Sequence, residues 1–221
     1  MILAVTGGKG GVGKSTVALN LGAALDAVIV DADLAMADLP AGRGPDLHDV
    51  LAGRADPLEA VQETPAGPLV PCGRSLAGAR AADPAALEAA LGPLERAHGA
   101  VVVDSPAGLR SDAGIPLFLA DACVVVTRPT RAALADAVRS RELARALDAD
   151  LAGVVLNRTP RREAEEVAGL LGAPTVCVPP STALARAQSV GVPVARTAPD
   201  SVAAARLDDL AERVHSALSS V

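Results

Sequence analysis

One short segment constrains the fold more than any other: residues 8–15 read Gly-Lys-Gly-Gly-Val-Gly-Lys-Ser. An apolar run, residues 1–6, precedes this segment, and an apolar stretch with helical spacing, residues 15–25, follows it. The segment fits the pattern GxxxxGK[ST] in the strand, loop, helix context that the pattern requires. We therefore predict a first β-strand whose carboxyl end enters a glycine-rich loop and then a helix.

The loop has the chemistry of a phosphate-binding site. Its glycines let backbone N–H groups converge on an anion, and the start of the helix adds free N–H groups and a favourable dipole. We expect Lys14 to reach the β- and γ-phosphates of ATP, the Ser15 hydroxyl to ligate Mg²⁺, and Thr16 to support the α-phosphate. The residues expected to hold the nucleotide here are Gly8, Gly10, Gly11, Val12, Gly13, Lys14, Ser15 and Thr16.

Apolar runs and helical patterns alternate along the rest of the chain. The predicted strands are 1–6, 27–31, 67–71, 100–104, 122–127, 151–156 and 175–178, and they are continuous Val, Ile and Ala runs. The predicted helices are 15–25, 46–52, 57–62, 83–97, 112–120, 131–147, 163–171, 181–190 and 201–219. Continuous apolar strands are typical of a sheet covered on both faces. We predict an α/β fold with a single doubly wound, mostly parallel sheet flanked by helices, as one domain over residues 1–221.

Composition narrows the classes of function. The formal net charge is −6, so the molecule as a whole has no signature of a polyanion-binding protein. No apolar run reaches the ~18 residues that span a bilayer, and no basic segment of a signal peptide precedes the first strand. The cysteines, Cys72, Cys123 and Cys177, form no CxxC pair and are expected to be buried reduced thiols. These features predict a cytoplasmic protein.

The lysines are unusual in their placement. The sequence has only two, Lys9 and Lys14, and both lie in the phosphate loop. A generic phosphate loop does not need Lys9. The segment KGGVGKST, residues 9–16, resembles the deviant Walker A loop of the MinD/ParA family of P-loop ATPases of the SIMIBI type. The resemblance implies that Lys9 reaches across an ATP-sandwiched homodimer to the partner's nucleotide and supplies charge in trans.

Carboxylates follow two predicted strands at the edge of the sheet where ligands bind. Asp31 ends AVIVD, Asp33 comes two residues later, and Asp104 ends AVVVD. Strand periodicity directs Asp31 and Asp33 to one side, and Asp104 is expected to hold Mg²⁺ through water. Residues 27–39 and 104–108 resemble the two switch segments of MinD. This resemblance implies that Asp33 positions the attacking water and that Asp31 organises the magnesium shell.

Two later segments are candidates for contact with the base. Asn157 ends the predicted strand of GVVLNR, and in the family an asparagine at this point reads adenine through its amide. VPPS, residues 178–181, resembles the loop that borders the adenine, which makes Pro179 a further candidate.

The resemblance covers nearly the whole chain, and residues 47–53, 104–108 and 183–194 resemble MinD more than ParA. The chain departs from the family at the short turn into the second strand and in residues 57–78. MinD proteins commonly end in a basic amphipathic helix that lies on the membrane. Here the polar face of residues 203–221 has two arginines against three carboxylates and no lysine. We therefore expect a packed closing helix and no intrinsic membrane anchor.

The resemblance implies a MinD-like switch ATPase that binds ATP and Mg²⁺ and dimerises with ATP. Hydrolysis is expected to be slow, to use Lys9, Lys14 and Asp33, and to be stimulated by an unidentified activating protein. The output would be the positioning of a cellular partner, in cell division or another spatial task. Recruitment to a membrane or a cell pole would then depend on that partner.

Two alternatives stay open. A ParA-like protein would bind DNA nonspecifically, and residues 128–162 carry eight arginines against four carboxylates. A solvated helix face explains the same charges more simply, so nucleic acid is not favoured. A metabolic ATP-dependent ligase resembling dethiobiotin synthetase would share the fold, but Lys9 and the switch sequence argue against it. Iron–sulfur carriers of the superfamily need paired cysteines, which this sequence lacks.

Overall fold

Eight strands form one sheet in the computed structural model, which describes residues 1–34, 39–40, 42–108, 111–159 and 164–218, with the side chains of 111–113 excepted. The strands are β1 Ile2–Thr6, β2 Val28–Asp31, β3 Gln62–Thr64, β4 Gly67–Val70, β5 Val101–Asp104, β6 Ala122–Thr127, β7 Asp150–Asn157 and β8 Thr175–Val178. Their order is β3-β4-β2-β5-β1-β6-β7-β8. All neighbours are parallel except β3 and β4, which form an antiparallel hairpin at one edge.

Helices cover both faces of this sheet. They are α1 Lys14–Ala24, α2 Leu47–Leu51, α3 Leu76–Ala81, α4 Leu87–His98, α5 Ser111–Leu119, α6 Arg131–Ala146, α7 Ala164–Leu171, α8 Thr182–Ser189, α9 Val194–Thr197 and α10 Val202–Leu218. A 3₁₀ turn, Pro84–Ala86, leads into α4, and the Asp83 side chain caps it by accepting a hydrogen bond from the Ala85 N–H.

Alternation within β5 shows why its apolar run is continuous. Val102 packs in the layer that contains α1 and α10, whereas Val101 and Val103 pack in the layer that contains α2 and α4. Each of these valines is fully buried. Both faces of the strand therefore need apolar side chains, as expected for a parallel sheet between two helical layers. The predicted fold class is confirmed.

One predicted helix is wrong. Residues 57–60 form turns, and the chain then enters β3 instead of completing a helix over 57–62. The strand is fixed by its hairpin: Gly67 takes a φ of 104°, and the Thr64 hydroxyl donates to the Gly67 carbonyl at 2.7 Å. Pairing with β4 at the sheet edge overrides the local helical pattern, because β-structure depends on a partner strand that local sequence does not report. The short helices α3 and α9 were not predicted.

The last helix packs as expected. Leu207, Leu210 and Val214 of α10 are buried, and they join the cluster that also contains Leu21 of α1 and Val155 of β7. No described helix is both long and apolar enough to cross a bilayer.

Candidate functional site

The phosphate loop lies at the carboxyl end of the central strand β1, between β5 and β6. Gly13, which precedes α1, has a φ of 108°, and Gly11 has a φ of 73°. Side-chain-bearing residues rarely adopt these angles. Gly8 serves another purpose, because a Cβ at this position would lie 2.7 Å from the Cβ of Asp136 in α6. The sequence of the loop therefore matches the backbone conformation and the close passage of α6.

The two lysines occupy different environments. Lys14 is the first residue of α1 and is 7% exposed, whereas Lys9 is exposed at the apex of the loop with Gly10 and Gly11. Ser15 follows Lys14 and is half-buried, as is Thr16. The loop therefore holds Lys14 and the Ser15 hydroxyl at the N-terminus of an eleven-residue helix, where an anion could bind. Lys9 is exposed to solvent.

Asn157 braces the loop from a distance of 145 positions along the chain. Its Nδ2 donates to the Val12 carbonyl at 2.8 Å, and its Oδ1 accepts from the Arg158 N–H at 2.9 Å. A Cβ on Gly13 would collide with the same amide nitrogen. Asn157 is 6% exposed. Sequence analysis did not anticipate this bracing role, because it joins β7 to a loop far away along the chain.

The other base-site candidate lies next to Asn157. Pro179 directly follows β8 and is half-buried, and the register of the sheet pairs Asn157 with Val178. The sheet thus brings the two candidates to one edge. Contact of either residue with adenine stays a prediction.

Two buried carboxylates adjoin the loop. The sheet register pairs Asp31 of β2 with Asp104 of β5, and the two residues are 0% and 1% exposed. The Asp104 carbonyl also accepts a hydrogen bond from the Ala32 N–H at 3.0 Å. Burial, and then the nearby charge of Asp104, raises the pKa of Asp31 well above its usual value. Ionisation of both carboxyl groups is therefore unfavourable, because they are buried side by side.

The donor set at this edge fits a magnesium ion. Asp31 Oδ2 is buried and has no hydrogen-bond partner among the described residues. Oxygen ligands of this kind suit Mg²⁺. Within the described part of the chain, no group of three or more His, Cys, Asp and Glu side chains is arranged to hold a metal alone. The assignment of Ser15, Asp31 and Asp104 to a magnesium shell stays a prediction.

Asp33 lies on a loop that is held through its backbone. Its N–H donates to Asp31 Oδ1 at 3.3 Å, and its carbonyl accepts a hydrogen bond from the Cys72 thiol at 3.2 Å. The Asp33 side chain is half-buried. The loop continues with Leu34, whose N–H donates to the Ala32 carbonyl at 3.0 Å. Residues 35–38 of the predicted first switch segment lie outside the described residues.

Cys72 and its neighbour His48 were not predicted as site residues. Burial is the main cause that raises the pKa of the Cys72 thiol, followed by the charges of Asp31 and Asp33, so the sulfur keeps its proton. The His48 Nε2 lies 3.3 Å from the Leu34 carbonyl and 3.5 Å from the Cys72 sulfur. For these two residues the sequence offered one signal, the placement of His48 in the predicted helix 46–52. The thiols themselves are reduced and buried, as expected.

The second predicted switch segment begins in a tight contact with the first strand. The Ser105 N–H donates to the Val5 carbonyl at 3.1 Å, and Gly108 has a φ of 101°. Residues 109–110 lie outside the described residues. Asp104 and Ser105 are thus anchored by the sheet at the point where the chain leaves it.

Comparison with known proteins agrees with this geometry. The chain matches the CobQ/CobB/MinD/ParA nucleotide binding domain family over residues 3–194. It is 33% identical over 228 aligned residues to an uncharacterized ATP-binding protein of Methanocaldococcus jannaschii, an alignment that covers 96% of this chain and 86% of the relative.

Two solved structures superpose closely. The cell division ATPase MinD of Pyrococcus furiosus has a TM-score of 0.90 at 29% identity, with 98% of each chain covered. The septum site-determining protein MinD of Pyrococcus horikoshii, solved with Mg-ADP, has a TM-score of 0.91 at 28% identity, with 98% of this chain and 96% of that chain covered. The resemblance inferred from the phosphate loop is confirmed, and the chain belongs to the CobQ/CobB/MinD/ParA family of nucleotide-binding domains.

Proposed function

We propose that the protein is a MinD-like ATPase switch, which binds ATP with Mg²⁺, forms a nucleotide-sandwich homodimer and hydrolyses ATP to position a cellular partner. The observation that carries this proposal is the different exposure of the two lysines of one loop. Lys14 is buried at the start of α1, and Lys9 is exposed at the loop apex. We propose that Lys14 contacts the nucleotide of its own subunit and that the exposed Lys9 contacts the nucleotide of the partner.

Binding of the nucleotide rests on the loop and its brace. The N–H groups at the start of α1 and the Lys14 ammonium would hold the phosphates. Ser15, Asp31 and Asp104 would hold Mg²⁺, which supplies charge neutralisation between the β- and γ-phosphates. Placing a divalent cation beside Asp31 also removes the cost of burying two adjacent carboxylates. Asn157 and Pro179, which lie at one edge of the sheet, are proposed to border the base.

Hydrolysis needs a water in line with the γ-phosphate. Asp33 follows Asp31 by two residues on the same edge, and its half-buried carboxylate is proposed to orient that water. Lys14 and the partner's Lys9 would stabilise the negative charge that spreads over the phosphoryl oxygens in the transition state. Without a partner that fixes this geometry, turnover would be slow, and we propose that an activating protein supplies it.

The cellular role follows from similarity to MinD, and the proposed task is spatial, in cell division or a related process. We propose that residues 1–221 act as one ATPase domain in the cytoplasm and that a partner recruits it to a membrane or pole. One observation keeps a DNA-binding role of the ParA type as a second candidate. Arg131, Arg139 and Arg145 of α6 are exposed with Arg158, although Arg139 is paired with Asp136. ATP-dependent retention on DNA that falls steeply with salt would support this role.

Light scattering of the purified protein tests the proposal. The wild type is measured with ADP and with ATP–Mg²⁺, and Asp33→Ala and Lys9→Ala are measured with ATP–Mg²⁺. We expect a dimer that forms only with ATP, persists in Asp33→Ala and is lost in Lys9→Ala. A monomer under every condition, with normal ATP binding, would overturn the sandwich dimer and favour a metabolic ATP-dependent ligase.

A further inference from the structure

We infer that His48 and Cys72 act as positioning residues for hydrolysis, because their side chains hold two consecutive backbone carbonyls of the loop that carries Asp33. This inference rests on the proposed ATPase function, and it adds two residues that lie outside the phosphate loop and both strand-end carboxylates. We call the two side chains and the carbonyls of Asp33 and Leu34 the buried latch.

The latch consists of two donors and two acceptors. The Cys72 thiol donates to the Asp33 carbonyl at 3.2 Å. His48 Nε2 faces the Leu34 carbonyl at 3.3 Å, so this nitrogen carries the proton in the tautomer that the contact requires. His48 and Cys72 are 3% and 1% exposed. Both donors are therefore withdrawn from water, and loss of one removes a hydrogen bond from a partly buried carbonyl.

The surroundings hold the imidazole in one place. A Cβ on Gly73, whose φ is 119°, would collide with His48 Nδ1, and a Cβ on Gly78 would lie 3.1 Å from the same nitrogen. Two glycines thus form the slot for the ring. The backbone is fixed as well, because the His48 N–H donates to the Cys72 carbonyl at 3.1 Å. The donors of the latch therefore move as one unit.

The packing beside the loop is incomplete. A cavity of about 220 Å³, lined in part by Leu34, Leu47, Pro106 and Ile115, lies beside it. A loop that borders a void is not held by close packing on that side. The hydrogen bonds from His48 and Cys72 therefore act together with the hydrogen bond from the Asp33 N–H to Asp31 Oδ1 in holding the backbone of Asp33, and with it the direction of its carboxylate.

Two amide substitutions of His48 test whether its hydrogen bond to Leu34 positions the loop or whether any buried polar group at this position is sufficient. In His48→Gln the amide nitrogen reaches about as far as Nε2 and can still donate to Leu34, whereas in His48→Asn it reaches only as far as Nδ1. We expect His48→Asn to lower kcat by about tenfold or more with KM within about threefold of wild type, since misplacement of a reacting group by ~1 Å can cost up to a hundredfold. His48→Gln should keep kcat within about threefold.

The Cys72 thiol has a matched control in another part of the fold. Cys72→Ala and Cys123→Ala each remove one buried sulfur atom. Cys123 lies in β6, and no hydrogen bond among the described residues joins it to Asp33 or Leu34. Cys72→Ala should lower kcat by several-fold with KM unchanged, and Cys123→Ala should leave both constants unchanged. Equal kcat values for His48→Asn and His48→Gln, or for the two alanine variants, would overturn the inference.

A second readout keeps the latch testable if the wild type binds ATP but does not hydrolyse it, an outcome that would overturn the proposed hydrolysis alone. Hydrogen–deuterium exchange of the nucleotide-free protein then tests whether the latch restrains the loop that carries Asp33. We expect faster exchange of a peptide spanning residues 32–40 in His48→Asn and Cys72→Ala, but not in His48→Gln or Cys123→Ala, with the phosphate loop unchanged. Exchange that is unchanged in all four variants, or faster throughout the chain, would overturn the latch.

Discussion

Asp31 and Asp104 are partners in the register of two parallel strands, and both residues are almost completely buried where those strands end. Most proteins avoid placing two carboxyl groups together away from water. The cost is tolerable only if one group stays protonated or if a cation joins them. We therefore expect the stability of the nucleotide-free protein to depend on pH, on Mg²⁺ and on the presence of both carboxylates.

Asp31→Asn should stabilise the nucleotide-free protein at alkaline pH. The folded-state pKa of Asp31 is raised above the unfolded value, so its contribution to stability is present at low pH and is lost as the pH rises through the folded pKa. We expect the variant to gain about 1–3 kcal/mol over wild type at pH 8 and less at pH 5. Urea unfolding in EDTA measures this, with Asp208→Asn, at an exposed position, as the control for a lost charge. A gain that is equal at both pH values would contradict the assignment.

Ser15→Ala and Asp104→Asn should weaken magnesium-dependent binding selectively. If these residues hold Mg²⁺ directly or through water, each variant should lose roughly 10-fold or more in affinity for MgATP. Affinity for ATP in EDTA should change much less, because the phosphate contacts of the loop and Lys14 remain. Calorimetric titration with and without Mg²⁺ makes the comparison. Equal losses in the two conditions would place these residues in phosphate binding or in folding instead.

Gly13→Ala should destabilise the protein, whereas Gly10→Ala should not. Alanine at position 13 combines a φ of 108° with a collision against the Asn157 amide, and alanine at position 10 meets nothing within 4 Å. The expected loss for Gly13→Ala is about 1–3 kcal/mol. Thermal unfolding of the nucleotide-free variants is the measurement, and similar melting temperatures for the two would contradict the described loop conformation.

Asn157→Ala separates bracing from base reading. Loss of the hydrogen bond to the buried Val12 carbonyl should cost about 1–2 kcal/mol of stability. It should also lower the affinity of the protein for every nucleotide. If Asn157 also reads adenine, ATP affinity should fall more than GTP affinity. Competition titrations with ATP and GTP decide between these outcomes, and equal losses would restrict Asn157 to the brace.

Local patterns predicted the central elements well, and contacts between distant segments were beyond them. The strand at 122–127 and the strand at 175–178 match β6 and β8 at both ends, because a strand buried on two faces has an unmistakable apolar run. The helix predicted over 57–62 is wrong, because β3 takes its structure from pairing with β4 across the turn at Gly67. The pattern also located the phosphate loop and its neighbouring carboxylates, since each lies at the carboxyl end of a strand.

The buried latch shows what a linear pattern does not contain. Its members come from residues 33–34, from α2 and from the turn after β4, and none of these segments shows by itself which of the others it contacts. The brace from Asn157 to Val12 is similar, because it joins residues that are 145 positions apart in the sequence. Such positions become functional candidates only when the fold brings them together.

The contrast between a buried Lys14 and an exposed Lys9 also has a consequence for chemical labelling. Because the sequence has no other lysine, an amine-reactive dye at mildly alkaline pH has one accessible side-chain target. The α-amine of Met1 is paired with the Glu95 carboxylate. Because acylation removes the charge of Lys9, labelling should prevent the ATP-dependent dimer as Lys9→Ala does, without any change in the sequence.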